Sequence, residues 1–151
     1  MVVKEMVSLS DMNHLLEESE KEGFRFLRRL ADDYDTGSNR FNELDEILLG
    51  VYSGSGQLVA IGGLNRDPFS GDQAVGRIRR FYVSSEWRGR GIGRLLLNEL
   101  IRHGKEHFHA FTLFTDTPEA DKFYISCGFK KGTAFSKSTH FYLVCQESDF
   151  T

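Results

Sequence analysis

Residues 82–101 read YVSSEWRGRGIGRLLLNELI, a strand-like start followed by a glycine cluster and an apolar helical run. Three of the five residues 89–93 are glycine, although glycine destabilises a helix interior by about 1 kcal/mol. A helix N-terminus exposes unpaired backbone N–H groups and carries partial positive charge. Glycines let an anion reach those groups without a Cβ in the way, and nearby arginines add charge-assisted hydrogen bonds. The stretch therefore predicts a phosphate-binding turn between a strand and a helix.

Two common nucleotide-binding motifs do not fit this glycine spacing. Gly93 comes one residue too early for the dinucleotide pattern G-x-G-x-x-G, and no Gly-Lys-Ser/Thr follows as in a P-loop. An ordinary strand-to-helix turn with solubilising arginines therefore stays open as the plain alternative.

Hydrophobic periodicity extends the pattern in both directions along the chain. Segments of period two predict strands, and segments of period 3.6 predict helices. Strands are predicted at residues 1–9, 46–53, 57–65, 73–83, 109–115 and 137–147, and helices at 10–22, 24–35, 92–101 and 118–127. This order predicts one mixed α/β domain over residues 1–151 around a single sheet, with 73–83 and 109–115 as parallel neighbours.

Local signals predict the ends and faces of the helices. Ser10 is expected to open the first helix, with Met12, Leu15 and Leu16 on its buried face. Thr117 is expected to cap the last helix and Gly128 to end it. The apolar face of the third helix is predicted to comprise Ile92, Leu95, Leu96, Leu100 and Ile101.

The charge is unevenly distributed along the chain. The net charge of −3 argues against a general nucleic-acid binder. Residues 5–46 hold 12 acids against 5 bases, whereas residues 77–94 hold six arginines against one acid. Solvated surfaces are the plain interpretation of both runs, and the overall charge disfavours an RNA contact through residues 77–94.

Neither a membrane nor a metal site is indicated. No apolar stretch is long enough to span a bilayer, and the N-terminus lacks a signal-peptide pattern. Cys127 and Cys145 lie far apart, and the five histidines show no convincing metal-ligand spacing. We therefore expect a reduced, cytoplasmic protein that binds no membrane, no nucleic acid and no metal.

Two segments resemble motifs of the GNAT superfamily of N-acetyltransferases. Residues 82–101 are similar to its acyl-CoA-binding motif, in which R-x-x-G-x-G stands between a strand and a leucine-rich helix. Residues 119–130, EADKFYISCGFK, resemble its next motif, an alanine, an aromatic-tyrosine pair and then Gly-Phe. The resemblance implies a GNAT-like α/β (α+β) fold. Its central sheet would be mixed and mostly antiparallel, with six to seven strands and a splayed parallel pair, flanked by about four helices.

The resemblance implies acetyl-CoA as the co-substrate. Where the strand splays from its parallel neighbour, Phe81, Tyr82 and Val83 would offer main-chain groups to the pantetheine arm, and a backbone N–H near Val83 would polarise the thioester carbonyl. Trp87 would stack on the adenine or simply pack. The backbone N–H groups that would bind the pyrophosphate belong to Arg88, Gly89, Arg90, Gly91, Ile92, Gly93 and Arg94.

The same resemblance implies a general acid but leaves the base open. Tyr124 matches the tyrosine that protonates the leaving thiolate in this family, although a core aromatic beside Phe123 is the alternative. Many family members have a glutamate where this chain has Arg77, and an arginine stays protonated at neutral pH. The proton of the amine could then pass to a water chain or to another residue, or the amine could bind already neutral. Three carboxylates are candidates for the base, and the sequence does not distinguish among them: Glu46, Asp67 and Asp72.

The acceptor is only weakly indicated. Arg77 permits an acceptor with a carboxylate or phosphate, unless it is a surface or structural arginine, while the acidic N-terminal half points to a cationic acceptor. Asn65 is a second expected substrate contact. We expect an N-acetyltransferase that acts on a primary amine of a small molecule or protein in a ternary complex. A CoA-binding module without turnover is the alternative, and the apolar strand at residues 140–145 could form a homodimer.

Overall fold

The computed structural model describes residues 1–6 and 8–144, so Cys145 and the end of the strand predicted at 137–147 lie outside the described residues. The strands are β1 Val2–Glu5, β2 Ile47–Tyr52, β3 Leu58–Arg66, β4 Val75–Val83, β5 Ala110–Leu113, β6 Lys130–Lys131 and β7 His140–Leu143. They form one seven-stranded sheet in the order β1-β2-β3-β4-β5-β7-β6. Among the described strands, β4 and β5 alone pair in parallel, which confirms the predicted mixed, mostly antiparallel sheet.

Four α-helices flank the sheet, as expected: α1 Asn13–Lys21, α2 Phe26–Thr36, α3 Ile92–Gly104 and α4 Pro118–Ser126. The prediction that Ser10 opens α1 is wrong, because the helix begins at Asn13 and the Ser10 hydroxyl interacts with that of Ser8. The α4 cap is confirmed, since the Ala120 N–H donates to the Thr117 hydroxyl over 3.2 Å.

The sheet separates two apolar cores. Helices α3 and α4 cover one face, and α1 and α2 cover the other with Leu15, Leu27 and Leu30 fully buried. The predicted face of α3 needs one correction, because Leu95 is 36% exposed while Leu97 is fully buried. All three residues 95–97 are leucine, so the composition does not show which flank of the helix meets the sheet. Gly104, seven residues beyond Leu97 and buried beside Phe111, lies on that same flank.

Strands β4 and β5 pair over a short length and then diverge. The parallel ladder joins Val75 to Ala110, Gly76 to Phe111 and Arg77 to Thr112, while β4 continues to Val83. Within the described residues, no strand therefore pairs with this edge of β4 beyond Arg77. This is the expected splayed pair, and it leaves main-chain hydrogen-bonding groups of β4 facing a gap.

A bulge interrupts β4 on its other side, where it pairs with β3. Gly63 lies opposite Arg79 and Ile61 opposite Tyr82, so Arg80 and Phe81 share the single position opposite Gly62. Arg80 has φ +56°, a left-handed conformation that is unusual for a residue with a side chain. A Cβ at Gly62 would lie 2.9 Å from the Phe81 ring, so glycine there makes room for that ring.

Two further findings concern only the part of the chain that the structure describes. None of its helices has the length and apolar character needed to cross a bilayer. The same residues contain no group of three or more His, Cys, Asp or Glu side chains suited to holding a metal ion.

Candidate active site

A groove of about 1290 Å³ opens where β4 and β5 diverge. Its walls come from five parts of the chain: the end of α1 with the start of α2, the loop between β3 and β4, the free edge of β4, the glycine loop with the start of α3, and the end of β5 with α4. The groove thus brings the two motifs of the sequence to one place, because residues of both the glycine loop and α4 line it.

The glycine loop has the backbone geometry that an anion site requires. Gly89 and Gly91 have φ of +75° and +82°, and no heavy atom lies within 4 Å of where a Cβ would stand at either position. Gly91 is the N-cap of α3 and supplies no side-chain acceptor, so the first N–H groups of the helix have no capping partner. The start of α3 therefore presents unpaired donors and the positive end of a helix dipole beside open space.

Arg88, the first arginine of the motif, is held from behind by the first helix. Its guanidinium donates two hydrogen bonds to the Glu22 carboxylate, at 2.9 and 2.8 Å. Its Nε–H donates to the Val83 carbonyl over 2.9 Å. The hydrogen bonds from Arg88 lower the pKa of Glu22, so this carboxylate stays charged at neutral pH.

A second carboxylate of α1 holds the chain just before the loop. Glu18 accepts hydrogen bonds from the Ser85 N–H at 2.6 Å, the Tyr82 hydroxyl at 2.9 Å and the Ser84 hydroxyl at 3.0 Å. Burial opposes ionisation of Glu18, but these hydrogen bonds outweigh it and lower its pKa. The Tyr82 hydroxyl also donates to Glu22. We call this set the α1 latch; its members are Glu18, Glu22, Tyr82, Ser84, Ser85 and Arg88.

The other arginines of the loop contact its surroundings. Arg90 lies over the Trp87 ring, with its guanidinium carbon 4.9 Å from the ring centroid. Trp87 is half-buried against the core beside α3, so its indole packs on the protein. Stacking of this indole on the adenine stays a prediction. Arg94 donates to the Ser126 hydroxyl over 3.1 Å and thereby ties α3 to α4.

Tyr124 lies in the groove wall and is also a core aromatic. Its side chain is 6% exposed, and its ring contacts those of Phe81, Phe123 and Phe129 at centroid distances of 5.9, 5.1 and 5.6 Å. Within residues 1–6 and 8–144 no hydrogen-bond partner of its hydroxyl is found. Burial raises the pKa of Tyr124, so the hydroxyl keeps its proton at neutral pH and is available as a donor.

Comparison with known proteins decides the family. The model of the acetyltransferase (GNAT) family matches residues 10–129, which is most of the chain. The chain belongs to the GNAT acetyltransferase family. Membership places it among proteins that transfer acyl groups, and it confirms the resemblance that the two motifs indicated.

Solved structures of similar proteins share this fold. One from Exiguobacterium sp. 255-15, described as an acetyltransferase, is 28% identical, with a TM-score of 0.83 over 94% of this chain and 92% of that one. An acetyltransferase from Streptococcus agalactiae 2603 is 18% identical, with a TM-score of 0.74 over 95% and 98%. The GNAT family N-acetyltransferase YhbS from Escherichia coli, in complex with CoA, is 13% identical, with a TM-score of 0.71 over 95% and 81%.

Arg77 stands where the family resemblance leads one to expect a glutamate, and its side chain has partners within the fold. Its side chain is 8% exposed and donates to the Ser138 hydroxyl over 2.9 Å and to the Lys137 carbonyl over 2.8 Å. The Asp67 carboxylate lies 3.9 Å away. Arg77 reaches the groove wall but uses these donors to anchor the loop before β7, so its contact with an acceptor stays a prediction.

The structure does not bring Asn65 to the groove. Its side-chain amide exchanges two hydrogen bonds with the amide of Asn39, at 2.9 and 3.0 Å, and donates a third to Glu46 over 2.9 Å. At 4% exposure, Asn65 joins β3 to the segment before β2. The position of Asn65 at the end of a strand suggested a place near the acceptor, but its hydrogen-bond partners lie outside the groove.

The three carboxylates considered as GNAT bases also lie outside the groove lining. Glu46 accepts from Asn65 and from the Arg66 N–H. Asp67 accepts from the Thr112 hydroxyl over 3.0 Å, and Asp72 lies 2.9 Å from His109. Each of them is engaged in holding the sheet or a loop, so the identity of the base stays open.

Proposed function

We propose that this protein transfers an acetyl group from acetyl-CoA to a primary amine, by direct attack of the amine in a ternary complex. One observation carries the proposal: the glycine turn of α3, the free edge of β4 and Tyr124 all border one groove. Membership of the GNAT family supports acyl transfer as the reaction class.

The residues present fit an acyl-CoA thioester. The N–H groups of residues 88–94 would hold its diphosphate, since Gly89 and Gly91 leave the approach open. Phe81 and Val83 would pair their main-chain groups with the pantetheine amides along the free edge of β4, as a strand would. The main-chain groups of Tyr82, the third residue expected here, face β3 instead, because Ser84, two residues on, donates its N–H to the Val59 carbonyl. The Val83 carbonyl keeps one lone pair for this purpose, because Arg88 uses the other.

Tyr124 would act as the general acid. The amine nitrogen bonds to the thioester carbonyl carbon, the carbon–sulfur bond breaks, and the Tyr124 hydroxyl gives its proton to the departing thiolate. The proton that the amine nitrogen loses passes to water, and water restores the proton of Tyr124. A backbone N–H near Val83 would stabilise the oxygen of the tetrahedral intermediate.

Release of free thiol from acetyl-CoA over a panel of primary amines tests this proposal. We expect release that depends on the amine and falls about a hundredfold in Tyr124→Phe. Tight acetyl-CoA binding without release by any amine would instead support the CoA-binding module, which the arginine at position 77 favours. The cytoplasmic location and the homodimer remain predictions from the sequence.

A further inference from the structure

The bulge in β4 directs two adjacent arginines toward α2. Arg79 lies opposite Gly63 and Tyr82 opposite Ile61, so Arg79 and Tyr82 share the sheet face that α1 and α2 cover. The Arg80 side chain reaches the same face, since its guanidinium lies 3.5 Å from the Asp33 carboxylate of α2. Both arginines line the groove, and Arg29 of α2 lines it beside them.

Little negative charge balances these arginines. Within the described residues, no ion pair or hydrogen-bond partner is found for the guanidinium group of Arg29 or of Arg79. Arg80 has only Asp33, whose side chain is 38% exposed. Burial and the neighbouring charge of Arg79 lower the pKa of Arg80, and Arg29 contributes in the same direction.

Arg29 is exposed and Arg79 is half-buried, but a solvated surface does not explain Arg80. The Arg80 side chain is only 12% exposed, and a buried charge is unfavourable unless an opposite charge or several hydrogen bonds compensate it. The planar donor fork of arginine matches the oxygens of a carboxylate or phosphate.

The acidic residues of the N-terminal half do not change the charge of this end of the groove. Glu22 is paired with Arg88 in the α1 latch, and Asp33 is the single acid paired with Arg80. The surplus of acids in residues 5–46 therefore does not make this end of the groove attractive to a cation.

The geometry points to an acceptor amine that also carries a carboxylate or phosphate group, bound by Arg29, Arg79 and Arg80. This inference rests on the proposed acetyl transfer and names the class of acceptor for it. The glycine loop provides a separate anion site for the diphosphate of acetyl-CoA at residues 88–94. The groove would thus bind two anionic groups, with the amine and the thioester between them.

Matched pairs of amines test the inference. The pairs are ethanolamine with O-phosphoethanolamine, glucosamine with glucosamine 6-phosphate, and tyramine with tyrosine, so that the phosphate and carboxylate arms are read separately. We expect kcat/KM, measured by thiol release, to favour the anionic member of at least one pair by about tenfold or more. In Arg79→Gln and Arg29→Gln this preference should fall toward unity, while KM for acetyl-CoA stays within about twofold of wild type.

Arg28→Gln is the matched control, because Arg28 is next to Arg29 on α2 but pairs with Glu20 outside the groove. It should keep the preference. The inference is overturned if neutral amines react as well as anionic ones, if the preference survives Arg79→Gln, or if these variants weaken acetyl-CoA instead.

Binding to the protein–CoA complex, measured by calorimetry with the same pairs, separates this inference from the proposed function. Failure of every amine to release thiol contradicts acetyl transfer. Tighter binding of the anionic members, by about tenfold, would still support the arginine site. Equal or undetectable binding of both members would contradict it.

Discussion

Arg88 and Glu22 are 66 residues apart in the chain, yet two hydrogen bonds of 2.9 and 2.8 Å join their side chains. The pair connects the loop that opens α3 to the end of α1. Because Arg88 also donates to the Val83 carbonyl, the same side chain supports the end of the free β4 edge. The first helix is therefore part of the structure that shapes the proposed acetyl-CoA site.

Glu22→Gln should lower the free energy of unfolding by about 1 kcal/mol at neutral pH, since it weakens a bidentate charged pair that is partly exposed. The folded protein lowers the pKa of Glu22 below its ordinary value of 4.5. This stabilisation is thus complete above that value and is lost as the pH falls toward the pKa of the folded state. Urea unfolding at several pH values should show the wild type and the variant converging progressively as the pH falls below 4.5.

Glu20→Gln is the control for this experiment, because Glu20 of α1 forms an exposed pair with Arg28 of α2. Its effect should stay below about 0.5 kcal/mol at neutral pH. A Glu22→Gln variant as stable as wild type at neutral pH would show that the α1 latch does not stabilise the fold.

Gly91→Ala should weaken acetyl-CoA binding by about tenfold and cost about 1–2 kcal/mol of stability, because the left-handed φ of +82° disfavours a Cβ. Gly56→Ala is the matched control. Gly56 has φ +85° with no heavy atom within 4 Å of its Cβ position, and it lies in the β2–β3 turn away from the groove. In Gly56→Ala, urea unfolding should show a similar loss of stability, while calorimetric titration should show the wild-type affinity for acetyl-CoA. Equal affinities in the two variants would count against the glycine loop as the diphosphate site.

Tyr124→Phe should lower kcat about a hundredfold without changing acetyl-CoA affinity, because only the proton donor is removed. Stability should change little, since no hydrogen-bond partner of this hydroxyl is found among the described residues. Burial raises the pKa of Tyr124 above its ordinary value of 10.0. Steady-state rates of the wild type should therefore not fall between about pH 8 and pH 10.

Tyr142→Phe serves as the control, because Tyr142 packs on Phe129 of the same core but does not line the groove. It should retain the wild-type kcat. A Tyr124→Phe variant with undiminished kcat would remove Tyr124 from the mechanism.

Arg77→Met should lower stability by about 3 kcal/mol, because it leaves the fully buried Asp67 carboxylate without its cation and frees the loop at residues 137–138. Adding Asp67→Asn should recover part of the loss by removing the unpaired charge. Arg102→Met, at an exposed pair with Glu99, should leave stability almost unchanged. Denaturant unfolding measures all three, and a neutral Arg77→Met would contradict the structural role.

The sequence predicted those parts of the fold that depend on local patterns. The period-two segments became β2, β3 and β4, the Thr117 cap formed, and the single helix between β4 and β5 led to a parallel pair. The start of α1 was missed because Ser10 has the chemistry of a cap, but the backbone turns helical only after Met12. Identical leucines at 95–97 hid which flank of α3 is buried.

The glycine loop could be predicted, because a local sequence pattern determines its backbone. The contacts between side chains that are distant in the chain could not be predicted. Glu18 and Glu22 are four residues apart on one helix face, which looked like an ordinary wet surface until α1 was placed against the loop. The bulge at Arg80 could not be predicted, because the residue with the left-handed backbone is an arginine and not a glycine. The burial of Arg77 depends on Ser138 and Lys137, some sixty residues away in the chain, as their hydrogen bonds show.

A crystal structure of the protein grown with CoA would show where the cofactor binds. We expect the diphosphate on the N–H groups of residues 88–94, the pantetheine arm along β4 beyond Arg77, and the sulfur within hydrogen-bonding reach of the Tyr124 hydroxyl. CoA bound at another surface, or a sulfur far from Tyr124, would contradict this expectation.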